Sequence, residues 1–252
     1  PCGNRDRAKL LKKNPEVCYT LEKSDLSKFL PDRKKNSHKG SYGKILMITG
    51  SKGMSGAAYL SARAAYISGG GLVQIYTEES NRTILQQLLP EAIVSTYTEY
   101  EEEKLQSLLK WADVICIGCG LGKSRTAGQI LSYLMKYAEV PCVIDADGLN
   151  LLADHMGLLP KEKKPFVLTP HMKEMAGLLG CTIPELGKNR FAALKEFTDS
   201  YGVVCALKDA RTLVAGKDRQ MFLNNCWKQC DGKGRFRRCA CRSDHRASGR
   251  SI

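Results

Sequence analysis

Positions 50–58 contain the stretch that decides the fold, Gly50-Ser51-Lys52-Gly53-Met54-Ser55-Gly56-Ala57-Ala58. It follows an apolar run at 44–49, which predicts a buried strand, and it precedes 58–67, which predicts a helix. The glycines, serines and alanines leave little side-chain bulk, and the first turn of a helix offers free N–H groups to an anion. A ligand-binding turn and a plain tight turn between strand and helix both fit these residues. The stretch matches neither Gly-x-Gly-x-x-Gly nor a Walker loop.

Outward from this turn, short apolar runs alternate with helical segments. Strands are predicted at 44–49, 72–76, 92–95, 113–117, 141–145, 165–169 and 203–207. Helices are predicted between most of them, for example at 101–111, 125–138, 172–179 and 189–200. This alternation predicts an α/β fold, in which a mainly parallel central sheet carries helices on both faces. Ligands bind such sheets beyond the carboxyl ends of the strands.

Four of the predicted strands end in small, acidic, imidazole or basic residues. The segments are Gly118-Cys119-Gly120-Leu121-Gly122, Asp145-Ala146-Asp147-Gly148-Leu149-Asn150, Thr169-Pro170-His171-Met172-Lys173-Glu174 and Lys208-Asp209-Ala210-Arg211-Thr212. Carboxylates bind Mg²⁺, and glycine turns together with a lysine bind phosphates. Several such ends along one sheet edge therefore predict a phosphate-plus-metal site.

Each of these side chains also has a purely structural interpretation. His171 is a candidate cap for the helix after Pro170, and Asp145 and Asp147 are candidate caps for a helix at 149–154. Glu174 is a candidate partner for the helix dipole in the first turn of that helix, and Lys208 is a candidate solvated loop residue. The functional interpretation depends on the convergence of these residues at one edge.

The net charge of +13 belongs to the two ends of the chain. Residues 1–40 and residues 226–252 each contribute +6, whereas 41–225 carry 20 Lys and Arg against 19 Asp and Glu. The globular part is thus nearly neutral, which argues against a nucleic-acid-binding face on the fold.

Cysteine usage and the apolar runs indicate the compartment. Four of the 11 cysteines lie in the last 27 residues, and several others lie inside apolar runs, as buried thiols of a reducing cytoplasm do. No run of about 18 apolar residues is present, and the polar start resembles no signal peptide. We therefore expect a cytoplasmic protein without a membrane span, and a fragment, since the sequence does not begin with Met.

Taken in order, the motifs resemble those of the NAD(P)H-hydrate dehydratases of the ribokinase-like superfamily, over about 37–225. They are Gly50-Ser51-x-Gly53-Met54-Ser55-Gly56-Ala57-Ala58, Gly118-x-Gly120-Leu121-Gly122, Asp145-Ala146-Asp147-Gly148-Leu149-Asn150, Thr169-Pro170-His171 and Leu207-Lys208-x-Ala210-x-Thr212. The resemblance implies a ribokinase-like three-layer sandwich. It also implies a lyase that repairs hydrated NADH and NADPH: ADP or ATP phosphorylates the added hydroxyl, and phosphate then leaves.

The resemblance also implies roles for individual residues. The hydrate pocket would be lined by Ala57, Gly120, Gly122 and His171. The nucleotide phosphates would be held by Lys208, Asp209, Ala210, Arg211 and Thr212. Glu174 would be the acid that acts through Mg²⁺. Asp209 stands where many relatives have Gly, and its carboxylate is unfavourable near phosphates unless it turns outward.

The same family implies partners and domains. We expect a homo-oligomer, a tetramer as in the family, with hydrated NADH or NADPH as substrate and without nucleic acid or membrane partners. Residues 1–40 are interpreted as a linker, the remnant of a connection to an N-terminal epimerase domain, and 41–225 as the dehydratase domain. Two rival hypotheses are a vitamin-precursor kinase of the same superfamily, in which Asn tends to replace His171, and a non-catalytic nucleotide-binding module with a nucleic-acid-binding basic tail.

The C-terminus departs from the family. After Asn225 the family continues with Gly-Ser-Gly-Asp-Val-Leu, whose Asp would activate or orient the reacting hydroxyl and whose helix N-terminus forms an anion hole. The chain instead continues as Cys226-Trp227-Lys228-Gln229-Cys230-Asp231-Gly232-Lys233-Gly234-Arg235-Phe236-Arg237-Arg238-Cys239. No catalytic residue is therefore certain, and we expect a fold that is incomplete at the C-terminus and an inactive or impaired enzyme.

A shift of the reading frame accounts for this departure. Permitted codons for 226–252, read one base later, give Ala-Gly-Ser-Asn-Ala-Met-Ala-Lys-Ala-Gly-Ser-Gly-Asp-Val-Leu-Ala-Gly-Val-Ile-Thr-Gly-Leu-Leu-Ala-Gly-Gln. The missing motif then stands in its expected place, so we interpret 226–252 as an aberrant basic tail that is out of frame. The alternatives are a disordered tail or a small metal knuckle, for which the cysteine spacings are poor.

Overall fold

A computed structural model describes residues 18–20, 36–159, 166–216 and 221–224. All predictions for 226–252, and most of the predicted linker at 1–40, lie outside these residues. The described strands are β1 (Cys18–Tyr19), β2 (Lys44–Ile48), β3 (Leu72–Glu78), β4 (Ile93–Tyr97), β5 (Val114–Ile117), β6 (Cys142–Ile144), β7 (Phe166–Leu168), β8 (Val204–Leu207), β9 (Leu213–Ala215) and β10 (Met221–Leu223). The described helices are α1 (Ser55–Ile67), α2 (Arg82–Leu88), α3 (Glu102–Trp111), α4 (Arg125–Tyr137), α5 (Asp147–Ala153), α6 (Met172–Leu179) and α7 (Ile183–Tyr201).

These strands form one sheet in the order β1-β10-β9-β8-β7-β6-β5-β2-β3-β4. Strands β2 to β8 are parallel to their neighbours in that group, and β9 is antiparallel to both β8 and β10. The predicted mainly parallel sheet is confirmed, and each of the seven predicted strands appears within two residues of its predicted ends. The carboxyl ends of β2, β5, β6, β7 and β8 thus lie along one edge, as the site prediction requires.

Helices cover the two faces of the sheet unequally. On one face, α3 to α7 pack apolar side chains such as Leu105, Leu134 and Phe197 into a large cluster with the strands. On the other face, α1 and α2 contribute Ala58, Ala62 and the buried Leu85 to a smaller cluster over β2, β3 and β4. The structure is therefore a three-layer α/β sandwich. No helix in the described ranges is long and apolar enough to cross a membrane.

Local sequence signals fix the helix ends. Ser124 accepts a hydrogen bond from the Ala127 amide at the start of α4, and Thr182 forms a capping box with Glu185 at the start of α7. Helix α7 is capped at its C-terminal end by Gly202, which has the left-handed conformation that glycine adopts without strain.

Several elements differ from the sequence predictions. Helix α7 begins at Ile183, six residues before the predicted start, and contains a non-helical residue, Asn189, with φ −135° and ψ 33°. The pattern fails there because Pro184 and Gly187 interrupt the helical composition. Strands β9 and β10 and helix α2 were not predicted, and β1 lies within the predicted linker. Runs of two or three residues are too short to show periodicity.

Candidate active site

Two buried polar side chains hold the turn that follows β2. Thr77 Oγ1 donates a hydrogen bond to the Gly50 carbonyl at 2.9 Å, and Asn81 Nδ2 donates one to the Ser51 carbonyl at 3.0 Å. A Cβ atom at Gly50 would lie only 2.9 Å from Thr77 Oγ1. These contacts therefore fix the backbone of the turn against β3 and the residues that follow it. Our sequence analysis missed Thr77 and Asn81, although polar residues directly after a buried strand were the available signal.

Three of the predicted substrate residues meet around this turn. A Cβ atom at Gly120 would lie 2.7 Å from the Ala57 Cβ, and the Ser51 amide donates to the Gly120 carbonyl at 2.6 Å. The Gly122 amide donates to Asp147 Oδ2 at 2.9 Å. Gly120 and Gly122 have φ values of 65° and 74°, which few other residues adopt. The structure thus brings Ala57 and both glycines together.

An ion pair links the next two strand ends. Lys208 Nζ lies 2.5 Å from Asp145 Oδ1, and both side chains are partly buried. Burial raises the pKa of Asp145, but the hydrogen bond and positive charge of Lys208, together with hydrogen bonds from Thr169 and Ala146, outweigh it and hold that pKa below its usual 3.8. Lys208 is therefore paired with Asp145 before a ligand arrives, although its side chain is 36% exposed. Its amide donates to the Pro170 carbonyl at 2.7 Å, which places it beside His171.

His171 caps helix α6. Its Nδ1 accepts a hydrogen bond from the Glu174 amide at 3.0 Å, while Glu174 Oε2 accepts one from the His171 amide at 2.8 Å. The capping interpretation is thus correct. Because Nδ1 is an acceptor, the neutral ring carries its proton on Nε2. The imidazole remains 51% exposed, so capping leaves it accessible at the sheet edge.

Glu174, the predicted metal-associated acid, is used within the fold. Its side chain is only 7% exposed; Oε2 accepts the capping hydrogen bond and Oε1 lies 3.4 Å from His171 Nε2. Among the described residues, no group of three or more His, Cys, Asp or Glu side chains is arranged to hold a metal ion. These residues do not fit an ion held by the protein alone, so we derive no step through Mg²⁺.

The loop between β8 and β9 contains the five predicted phosphate-binding residues. Asp209 Oδ2 accepts a hydrogen bond from Arg190 Nη1 at 2.7 Å, and Arg190 directly follows the non-helical Asn189 of α7. This pair offsets the carboxylate charge that the sequence analysis identified as unfavourable. Ala210 and Arg211 are exposed, and Thr212 accepts a hydrogen bond from the Asn224 amide through its carbonyl.

Ala146 holds the two acidic residues apart. It has φ 49° and ψ −120°, and it is the one non-glycine residue of the described ranges with a positive φ. Such a conformation costs about 1–3 kcal/mol and persists only where the surroundings impose it. The two residues beside Ala146 have different partners: Asp145 pairs with Lys208, and Asp147 accepts a hydrogen bond from the Gly122 amide. The strained residue therefore lies at the centre of the site.

Replacing Lys208 by Met is expected to reduce the contribution of Asp145 to the pH dependence of stability. With Lys208 present, the lowered pKa of Asp145 means that the contribution is complete above pH 3.8 and is lost as pH falls through the lowered pKa. In Lys208→Met, only the hydrogen bonds from Thr169 and Ala146 still oppose burial, so the pKa of Asp145 is higher than in the wild type and the stability that this group contributes above pH 3.8 is smaller. Because the pair is partly exposed, we expect a change of about 1 kcal/mol.

Urea unfolding between about pH 3 and about pH 7 measures this change. The matched control is Lys188→Met, which removes an exposed lysine of α7. An identical pH dependence in the two variants would contradict the assigned ion pair.

Comparison with known proteins identifies the family of the chain. Residues 45–234 match the family model of NAD(P)H-hydrate dehydratase. The chain belongs to the NAD(P)H-hydrate dehydratase family. The match to this dehydratase family extends nine residues beyond Asn225, the point at which we expect its pattern to stop.

One similar member is the bifunctional NAD(P)H-hydrate repair enzyme Nnr of Coxiella burnetii, which is 36% identical over 203 residues. The alignment covers 81% of this chain and 40% of that enzyme, so the chain spans about two-fifths of the curated relative. This chain therefore corresponds to one part of a longer relative.

Solved structures confirm the fold. A ribokinase-like superfamily protein of Enterococcus faecalis has a TM-score of 0.72 and 29% identity, covering 82% of this chain and 71% of its own. The ADP/ATP-dependent NAD(P)H-hydrate dehydratase of Bacillus subtilis, co-crystallized with ATP/Mg²⁺, has a TM-score of 0.67 and 28% identity, covering 83% and 73%. The predicted ribokinase-like fold of this dehydratase family member is therefore correct.

Proposed function

We propose that this chain contains the domain of a nucleotide-dependent dehydratase that repairs hydrated NADH and NADPH. The observation that supports it is that Ala57 and Gly120 are in contact and Lys208 lies beside His171, with both groups at the carboxyl edge of one sheet, in a member of this family. The proposed domain is 41–225. The proposed reaction transfers a phosphoryl group to the added hydroxyl; phosphate then leaves as a ring proton is lost and the double bond returns.

The small residues and the basic residue take different parts in this proposal. In this proposal Ala57, Gly120 and Gly122 would let the hydrated ring approach the backbone, and His171 would contribute its exposed imidazole from the carboxyl end of β7. The 208–212 loop holds the nucleotide phosphates, with Lys208 exchanging the Asp145 carboxylate for a phosphate oxygen. Since phosphoryl transfer depends on positioning and on stabilising charge, both sets are required.

The nucleotide is ADP or ATP in this proposal, which the name of the Bacillus subtilis enzyme supports. Mg²⁺ would accompany the nucleotide phosphates, since Mg²⁺ is usually held by phosphates with few protein ligands; the role of Glu174 toward it stays a prediction. We also propose a cytoplasmic homo-oligomer, which sedimentation velocity would measure. The bifunctional relative supports fusion to an epimerase domain.

Removing the Lys208 charge is expected to weaken nucleotide binding. A hydrogen bond to a charged group contributes about 1.5–3 kcal/mol, so Lys208→Ala should raise the dissociation constant for ADP or ATP about tenfold to a hundredfold. Calorimetric titration measures this directly. Lys188→Ala, at an exposed position of α7, is the control; equal affinities in the two variants would count against the assignment of the 208–212 loop.

Two substitutions at His171 separate its two roles. Asn is among the best capping residues, so His171→Asn should keep the melting temperature, whereas His171→Ala should lose about 1 kcal/mol of capping. If the imidazole lines the hydrate pocket, both variants lower turnover about tenfold to a hundredfold. The measurement is NADH absorbance in a chain whose frame is restored after Asn225. Wild-type turnover in His171→Asn would leave His171 as a helix cap without a role in the hydrate pocket.

A further inference from the structure

The outer side of helix α1 carries a stripe of exposed apolar side chains. Leu60 is 48% exposed, Ile67 is 56% exposed, and the exposed Ala64 lies between them. Their i, i+4, i+7 spacing places these side chains on one side of a helix. On the opposite side, Ala58 and Ala62 are buried against the sheet. At about 100° per residue, Leu60 and Ile67 lie roughly opposite Ala58, so the stripe points away from the sheet.

Helix α2 extends this apolar surface. It packs beside α1, and its Ile84 and Leu88, one turn apart, are 42% and 50% exposed. Six of the ten large apolar side chains that are exposed in the described ranges lie between residues 54 and 93, so the exposed apolar surface is concentrated here. The name α1–α2 face is used below for the surface formed by Leu60, Ala64, Ile67, Ile84 and Leu88.

The α1–α2 face is almost free of charge. Helix α1 contains one charged residue, Arg63, and residues 83–90 contain none. Arg63 Nη1 donates a hydrogen bond to Tyr59 Oη at 2.8 Å, so the guanidinium lies against its own helix. The exposed sides of α3 and α7, by contrast, carry both acidic and basic residues. Charged residues are depleted at the centre of protein interfaces, and a contiguous exposed apolar patch marks an interaction site.

The size of this surface is that of a protein interface. In 51–69 and 82–93, 25 residues are exposed or of intermediate exposure. A stable interface takes about 20–30 residues from each partner. Helix α1 has 13 residues and is therefore about 20 Å long. A helix that is apolar on all sides is typically covered on all sides, and α1 has this composition.

A second copy of this chain fits the α1–α2 face better than a charged partner does. A nucleic acid requires clustered Lys and Arg residues, and Arg63 alone does not supply them. Because the chain carries a net charge of +13, two copies repel each other unless they meet where charge is low. The basic tail at 226–252 offers few apolar side chains, since Ile252 is its only Val, Leu or Ile residue.

We propose that two copies of this chain associate through the α1–α2 face, with their α1 helices antiparallel about a two-fold axis near Ala64. The small side chain of Ala64 lets the two helices approach closely, and the axis brings Leu60 of one copy against Ile67 of the other. The proposal assigns a surface to the homo-oligomer proposed above. It does not depend on the dehydratase reaction.

Sedimentation velocity of the full 252-residue chain tests this surface. Leu60→Asp and Ile67→Asp should each halve the mass of the assembly, because each places two carboxylates in an apolar contact. The control is Ile183→Asp at the first position of α7, where the side chain is also exposed, and it should keep the wild-type mass. A monomeric wild-type chain, or an assembly that persists in both folded α1 variants, would overturn the proposal. Neither result bears on the dehydratase reaction, which NADH absorbance tests separately.

Two further measurements decide the question if an Asp variant loses its near-ultraviolet circular dichroism. Ala64→Trp adds bulk at an exposed position, which a separate copy accommodates and two closely packed helices do not, so it should also halve the mass. Benzoylphenylalanine at Leu60 should crosslink to a peptide from 55–93 of another copy, and mixing with isotope-labelled chain should give products of mixed mass. Crosslinks only within one copy, to 1–17, 21–35 or 225–252, would contradict the proposal.

Discussion

Restoring the reading frame after Asn225 is expected to turn an inactive chain into an active dehydratase. The chain as written lacks the Gly-Ser-Gly-Asp motif, whose Asp would orient or deprotonate the reacting hydroxyl and whose helix start would stabilise the transferring phosphoryl group. Loss of one preorganised charge-stabilising group costs about 10²–10³ in rate. Loss of a general base costs about 10²–10⁴ more. Turnover of the 252-residue chain should therefore be undetectable, even with Ala57, His171 and Lys208 in place.

The experiment compares the two chains under one set of conditions. Both receive hydrated NADH, Mg²⁺ and either ADP or ATP, and the absorbance of regenerated NADH is followed. Replacing the restored Asp by Asn gives a matched control that should again be inactive. Comparable rates from the two chains would reject the frameshift interpretation together with the role of that Asp. The DNA sequence at the Asn224 and Asn225 codons provides an independent check.

Substitution of Gly118 by Ala is expected to prevent folding. Gly118 has φ 120°, and a Cβ atom there would lie 1.9 Å from the Asp145 carbonyl oxygen and 2.6 Å from the Gly148 nitrogen. Both are backbone atoms of the segment that joins β6 to α5, so the two strand ends must separate. We expect a loss above about 4 kcal/mol, a large share of the roughly 5–15 kcal/mol that stabilises a domain. Lys208 would then lose its Asp145 partner.

Gly128 provides the control for Gly118. It lies within α4, and a Cβ atom there meets nothing within 4 Å. Gly128→Ala should raise stability by about 0.5–1 kcal/mol, because alanine favours the helix. Soluble yield and melting temperature measure both variants. Similar melting temperatures for Gly118→Ala and Gly128→Ala would show that the contact between the strand ends is not rigid.

Sequence patterns predicted the parallel strands well because each is a buried apolar run with a polar end. They also identified Lys208, His171 and Glu174 as residues of one edge, since parallel strands share the location of their carboxyl ends. They did not predict which side chains pair. The Arg190 contact with Asp209 depends on the irregular Asn189, and the Asp145 contact with Lys208 depends on the strained Ala146.

Short elements were missed for a different reason. Strand β1 has two residues, and its apolar character becomes apparent only when Tyr19 meets Phe222 of a strand about 200 residues later. Pairing over such a separation leaves no local periodicity. The boundary of the predicted linker was therefore set by composition alone, which does not detect a strand of this length.

The ion pair between Lys208 and Asp145 has a kinetic consequence. Because Lys208 and Asp145 balance each other, and Asp209 is balanced in the same way by Arg190, these two pairs project only a weak field into solution. The two pairs would then add little electrostatic steering to the association of a nucleotide. Discrimination would arise after encounter, when only a phosphate placed correctly displaces the carboxylate from the lysine.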